Sequence, residues 1–240
     1  DNTIVHGLNL IHGTRSKITL EQFDDPKNKE NNFGKYTFDI RNYQKVHREL
    51  TFATRISFGG FFGNAKKNFL LGGMDNWLLN SSSHTGHGEP LSLEKHQDNS
   101  DLLFVRYITN LRGFNYNTQF GSKFFLFNAE LRFPIVRYFH KGTIKSNFFK
   151  NLQLVTFTDA GSAWSGVSPF KKANSVNTQT ITSPPFTATV VNYINPFLIG
   201  YGFGVRTLFL GYYMKFDVGW GVVNTYVQKP KAYLTFGYDF

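Results

Sequence analysis

The stretch Leu50-Thr51-Phe52-Ala53-Thr54-Arg55-Ile56-Ser57-Phe58 decides the fold. Successive side chains of an extended strand point to opposite faces. Leu50, Phe52, Ile56 and Phe58 therefore share one face, and Thr51, Arg55 and Ser57 share the other. Helical spacing would scatter these residues around a cylinder, so the alternation predicts a strand with one apolar and one wet face. The pattern recurs. Phe125, Phe127, Leu131 and Phe133 oppose Asn128, Glu130 and Arg132, and Tyr212, Met214, Phe216, Val218 and Trp220 oppose Lys215 and Asp217. At the end of the chain Leu234, Phe236, Tyr238 and Phe240 oppose Thr235, Gly237 and Asp239. Less regular stretches at 14–23, 35–46, 151–161 and 197–208 bring the expectation to about eight strands.

Most of these strands reach or exceed the ~9 to 11 residues of a tilted strand that crosses a bilayer. The connections alternate in length. Long or polar segments at 24–33, 60–121, 165–196 and 222–230 take turns with shorter links near 47, 136–150 and 210–211. A closed transmembrane barrel has this parity, with short turns on the periplasmic side and long loops outside. The competing reading is a soluble β-sandwich or a lipocalin-like, ligand-binding barrel, in which the apolar face would be a dry core. Against it stand the crowding of phenylalanine on the apolar faces, in a 240-residue chain that holds 27 of them, and a mean hydropathy that is slightly negative. Charged groups on the opposite faces suit a broad hydrated interior better than a small core.

No apolar run approaches the ~18 to 20 residues of a spanning helix, so any crossing is made by strands. The start, Asp1-Asn2-Thr3, has neither the basic nor the apolar region of a signal peptide. Either a targeting segment has been removed or this is a later piece of a longer chain. Cysteine is absent, which excludes thiol catalysis, thiolate metal sites and disulfides. The net charge of +10 raises the question of nucleic acid, but Lys35, Arg41, Arg55, Lys123, Arg132, Arg206 and Lys215 are spread among apolar strand positions and form no basic stripe.

Three ordered motifs carry a family resemblance. Asn110-Leu111-Arg112-Gly113-Phe114 lies in the longest predicted external loop, followed by Ala129-Glu130-Leu131-Arg132-Phe133-Pro134 and by Phe157-Thr158-Asp159-Ala160-Gly161-Ser162-Ala163-Trp164. Together they resemble the BamA/TamA superfamily of outer-membrane assembly factors, which includes two-partner secretion transporters. The resemblance implies an all-β, antiparallel transmembrane β-barrel. In the family that barrel has sixteen strands, with the loop motif between the eleventh and twelfth. The eight strands here would then be the last eight, and residues 1–240 the C-terminal part of a single barrel domain with long external loops near 60–121 and 165–196. Leu71-Gly72-Gly73-Met74-Asp75-Asn76-Trp77 more narrowly resembles family members whose barrel follows a TolB-like β-propeller.

The resemblance also implies roles. The loop would fold back into the barrel, with Arg112 pairing to acidic groups at Glu130 and Asp159, a task that suits a rigid guanidinium fork. Gly113 would allow a backbone geometry or close approach closed to larger residues, and Phe114 would pack against the wall. Phe236, Tyr238 and Phe240 match the alternating aromatics of a C-terminal assembly signal read by edge pairing, although the family-style glycine upstream is missing.

Other signals weigh less. His84, His87, Glu89 and His96 share one polar loop without the spacing of a preorganised zinc site, so no metal is expected. Gly200, Gly202 and Gly204 repeat every two residues within 197–209, a strand pattern that leaves one face bare for an inserted loop or a bend, not a phosphate cradle. No catalytic constellation or cofactor site emerges, and an enzyme is not expected. The expected place is the bacterial outer membrane and the expected work insertion or translocation of proteins. Lipids, client outer-membrane proteins, other complex subunits, and an upstream barrel half with a periplasmic domain are the expected partners. The alternative in a membrane is a structural or pore-forming subunit.

Overall fold

The structure is a computed structural model that describes residues 1–6, 9–78, 103–140, 142–170, 178–183, 186–191 and 195–237. Eight strands build its wall: β1 (Asn9–Phe23), β2 (Phe33–His47), β3 (Leu50–Gly63), β4 (Lys123–Phe133), β5 (Gln153–Trp164), β6 (Leu198–Phe209), β7 (Tyr212–Val223) and β8 (Lys231–Phe236). Each pairs antiparallel with the next, so order in the sheet follows order in the chain. The path extends past β1 to Ile4–His6 and past β8 to Trp77–Leu78, and among the described residues those two ends do not pair with each other. A strand such as β6, with 12 residues, is about 40 Å long at ~3.3 Å per residue. Tilted by roughly 45°, it rises about 28 Å, enough for the ~25 Å apolar band of an outer-membrane barrel.

The alternation read from the sequence is the alternation of the faces. Along β4, Phe124, Leu126, Asn128, Glu130 and Arg132 are buried on the inner face, while Leu131 is exposed and Phe125, Phe127 and Phe133 lie half-buried on the outer one. In β7, Lys215 and Asp217 point inward and Tyr212 and Phe216 outward. Among the described residues no second layer covers the outer face: Ile18 is 75% exposed and Phe203 55%. So large a continuous apolar surface is far from what a water-soluble sheet tolerates and suits lipid. No described helix is long and apolar enough to cross a membrane, which says nothing about crossing by strands.

Two features differ from the expectation. First, β3 runs on to Gly63 and does not stop at Phe58. Gly59 and Gly60 carry no side chain to reveal alternation, yet they stay in the ladder opposite Thr37 and Tyr36, and the pattern resumes with Phe61 inward and Phe62 outward. Second, the inner face is not wet throughout. Phe33, Phe61, Phe124, Leu126, Ala163 and Leu198 point inward and pack with Phe69, Leu71, Leu111 and Phe114 from the long segment between β3 and β4. Within that segment Phe69–Leu71 pairs parallel with Arg106–Ile108 and antiparallel with Gln119–Gly121, a small sheet whose Phe69, Leu70 and Leu71 are completely buried. The interior is thus part apolar and part ionic.

Two of the three links at the opposite ends of the strands are tight, His47 to Leu50 and Phe209 to Tyr212. Leu210 and Gly211 both adopt positive φ, 51° and 84°, as a two-residue hairpin between right-twisted strands requires. The β4 to β5 link holds two short helices, α1 (Ile135–Phe139) and α2 (Asn147–Lys150). In the 165–196 connection, Thr178–Ser183 pairs with Phe186–Val191 as a separate hairpin.

Candidate functional site

Arg112 sits inside the wall, 1% exposed, with its guanidinium spread over three carboxylates. Its Nε donates to Asp159 Oδ2 at 2.7 Å and its Nη2 to Asp159 Oδ1 at 2.8 Å, a two-pronged fork on one carboxylate. Nη1 donates to Glu130 Oε1 at 2.6 Å and reaches Asp217 Oδ2 at 3.4 Å. The Arg112 backbone N–H donates to Asp159 Oδ2 at 3.1 Å, so main chain and side chain grip the same group. The guanidinium carbon lies over the Phe157 ring, 3.6 Å from its centre, a cation–π contact that the planar arginine head can make while its edges hold the carboxylates.

Neighbouring strands supply the rest. Asn128 Nδ2 donates to Asp159 Oδ1 at 2.7 Å and also to the carbonyl of Asn110, tying β4 to β5 and to the residue that enters the turn. Arg206 on β6 pairs with Asp217 on β7, and Arg132 pairs with Glu130 at 2.8 Å. Arg112, Arg132 and Arg206 thereby face Glu130, Asp159 and Asp217, three positive charges against three negative, all at most 2% exposed. Such a set can be buried because each charge is paired and hydrogen-bonded, whereas removing one member leaves another uncompensated. The carboxylates are engaged by guanidinium groups, which suits holding a segment in place more than moving protons.

Glycine makes the room. A Cβ at Gly200 would fall on the Arg112 carbonyl, one at Gly202 on the Val218 carbonyl and close to the Phe157 ring, and one at Gly204 on the Asp217 carboxylate. The three glycines therefore clear a strip of β6 on which the Arg112 turn, its stacking partner and its third carboxylate lie. Gly113 has φ +93°, and a Cβ there would stand 2.5 Å from the Gly221 nitrogen of β7. Phe114 is 1% exposed and packs within the apolar interior.

The structure brings together Arg112, Gly113, Phe114, Glu130 and Asp159. It adds Asn128, Arg206, Asp217 and Tyr233, which the sequence reading did not assign to the site. Asp217 could be placed on the inner face by alternation, but its position opposite Gly204 depends on register. Phe236 ends β8 with its ring on the outer face. Tyr238 and Phe240 lie outside the described residues, as do His84, His87, Glu89 and His96.

The β8 edge lies beside this cluster. On one side Lys231–Phe236 pairs with β7 from Met214 to Gly219; on the other only Leu234 and Thr235 have a strand partner among the described residues.

A family model for the Omp85 superfamily domain matches residues 6–238. No curated protein matches the chain.

Proposed function

The chain belongs to the Omp85 superfamily, and from that premise we propose that it acts at the bacterial outer membrane in inserting or translocating other proteins. In this reading the edge of β8 receives an incoming strand by backbone pairing, and the Arg112 turn braces the inside of the wall against which the strand is added. No nucleotide hydrolysis or cofactor takes part, because the free energy comes from edge pairing and from burial of the new strand's apolar face in lipid.

The observation that carries the reading is the buried clamp of Arg112 on Asp159, Glu130 and Asp217. It spans β4, β5 and β7 and ends next to β8, so it stiffens the strands beside that edge. A wide water-filled pore, the rival use of such a wall, is opposed by the apolar cluster of Phe69, Leu71, Leu111 and Phe114 against the inner face. The partners implied are membrane lipid on the outer face and client strands at the edge. Phe236, with Tyr238 and Phe240, is the proposed C-terminal assembly signal of the chain itself.

The test is conditional depletion of the whole protein followed by a quantitative census of outer-membrane proteins. A selective fall in a set of barrel or secreted proteins, restored by the parent gene and not by an Arg112→Ala version, supports the reading. An unchanged census makes the chain a structural subunit.

A further inference from the structure

The link between β4 and β5 is the long one at the end of the wall where the other two links are tight. Its composition is lopsided. Residues 135–150 hold Arg137, Lys141, Lys145 and Lys150 together with the rings of Tyr138, Phe139, Phe148 and Phe149, and no Asp or Glu.

Two anchors set the pose of its helices. At α1, Arg137 grips both oxygens of Glu49 in the β2–β3 turn, Nη2 to Oε1 at 2.8 Å and Nε to Oε2 at 2.7 Å. The next residue, Tyr138, has its hydroxyl 2.9 Å from His47 Nδ1 and the Arg48 guanidinium 5.2 Å from its ring centre. At α2, the Thr207 hydroxyl of β6 donates to the Phe148 carbonyl at 2.9 Å. Thr207 continues the outward series Ile199, Tyr201 and Phe203, all exposed, yet it is itself only 2% exposed. So α2 lies against the outer side of the wall, at its margin. The same holds for α1, because the outward ring of Phe133 meets Tyr138 at 4.8 Å and Phe139 at 6.0 Å.

The groups that these anchors leave over point away from the protein. Phe139 is 71% exposed and Phe149 is exposed beside it, while Lys145 and Lys150 are exposed without an acidic partner among the described residues. A cavity of about 300 Å³ opens between the link and the β2–β3 turn, with Arg137, His140, Thr143 and Lys150 in its lining. Glu49, the acidic group in that lining, is already taken by Arg137, so Lys150 is left as the unmatched charge.

We propose that residues 135–150 are an interfacial anchor, with the Phe139 and Phe149 rings in the upper acyl chains of the leaflet at the tight-turn end and an anionic phospholipid headgroup held at the cavity by Lys150 and His140. Two features select lipid as the occupant. The exposed rings continue the lipid-facing surface of Phe133, at the level where outer-membrane barrels carry their aromatic girdles. Basic side chains interleaved with exposed rings match an anionic headgroup layer, in which apolar burial and charge attraction act together. The inference needs only that the outer face meets lipid and stands apart from any part in inserting other proteins.

The chain contains no cysteine, so Phe139→Cys or Phe149→Cys gives a single labelling site in the whole protein. In vesicles whose acyl chains carry bromine near the headgroup, a dye at either site is expected to be quenched several-fold more than the same dye at Lys27→Cys, in a loop at the other end of the wall. Extracted from vesicles of equal parts phosphatidylglycerol and phosphatidylcholine, the protein is expected to retain phosphatidylglycerol in preference, as read by native mass spectrometry. Lys145→Gln with Lys150→Gln should lower that retention several-fold. Lys66→Gln with Lys229→Gln removes the same charge from exposed positions at the other end and should leave it unchanged. Unaltered heat-modifiable gel migration of both pairs would show that the loss is one of binding and not of folding. Dyes at 139 and 149 no more quenched than the one at 27 would put the rings in water or under a protein partner and overturn the anchor. Equal retention of phosphatidylglycerol by the two lysine pairs would overturn the headgroup site.

Discussion

Tyr233 and Gly113 are joined inside the wall: the Tyr233 hydroxyl accepts the Gly113 N–H at 2.8 Å and donates to the neighbouring Phe114 carbonyl at 2.8 Å. One side chain of β8 thus satisfies both backbone groups of a turn that glycine geometry leaves unable to bond within itself. It also ties the Arg112 segment to the strand whose edge is proposed to work.

Tyr233→Phe should keep the ring packing against Trp77 and lose both bonds. A buried donor left unsatisfied costs about 1–3 kcal/mol, so the turn should loosen while the wall persists. Limited proteolysis of the 64–122 segment should become faster, and heat-modifiable migration should remain. Equal cleavage rates in parent and variant would mean that the hydroxyl does not hold the turn.

Arg112→Ala should be far more damaging. It strips a fork from Asp159 and a bond from Glu130, both buried in the wall. Breaking one side of a buried ionic set costs on the order of 3–5 kcal/mol. Arg112→Lys should rescue little, because an ammonium cannot hold two oxygens of Asp159 and stack on Phe157 at once. A second change, Asp159→Asn, should recover part of the loss by removing the stranded charge, which thermal unfolding in detergent would measure as non-additivity. Additive penalties would show that the two residues do not act as a pair.

Gly200→Ala tests the same clamp from the opposite side without touching a charge. The added methyl would occupy the place of the Arg112 carbonyl, and neither the strand backbone nor the buried turn has slack to give. The turn should be expelled, with protease sensitivity and loss of complementation approaching those of Arg112→Ala. Thr156→Ala, on the outward face of β5, is the control and should behave as the parent.

The wall was legible because alternation is a local signal. Leu50 to Phe58 and Phe125 to Phe133 state their own faces, and the structure keeps those faces. The Arg112, Glu130 and Asp159 grouping came from ordered motifs and not from spacing, since residues 18 and 47 positions apart carry no distance information of their own. What escaped depends on register. Asp217 enters the cluster because it stands opposite Gly204, and Tyr233 because it stands opposite Asp217. Gly59 and Gly60 hid the continuation of β3, having no side chains to alternate. Phe124 and Leu126 share their face with Asn128, Glu130 and Arg132, so alternation alone cannot tell that one end of the interior is apolar. The Trp77–Leu78 pairing had no signal at all: two residues are too few for a period, and their partner lies at the far end of the chain.

The membrane assignment of the outer face predicts an effect whose sign would reverse in a water-soluble protein. Phe203 stands mid-strand in β6, 55% exposed, opposite Val218 of β7. In water, replacing so exposed a phenylalanine with arginine would be neutral or would improve solubility. At the middle of a bilayer the guanidinium must be dragged into hydrocarbon, at about 2–4 kcal/mol for a barrel residue facing lipid. Phe203→Arg should therefore lower unfolding free energy in lipid vesicles by that amount. Leu210→Arg, in the tight turn at the strand ends, should cost nearly nothing on the electrostatic account, because the penalty falls toward the interface. A Phe203→Arg protein that is stable and monomeric in plain buffer would place this face in water and remove the ground for a barrel.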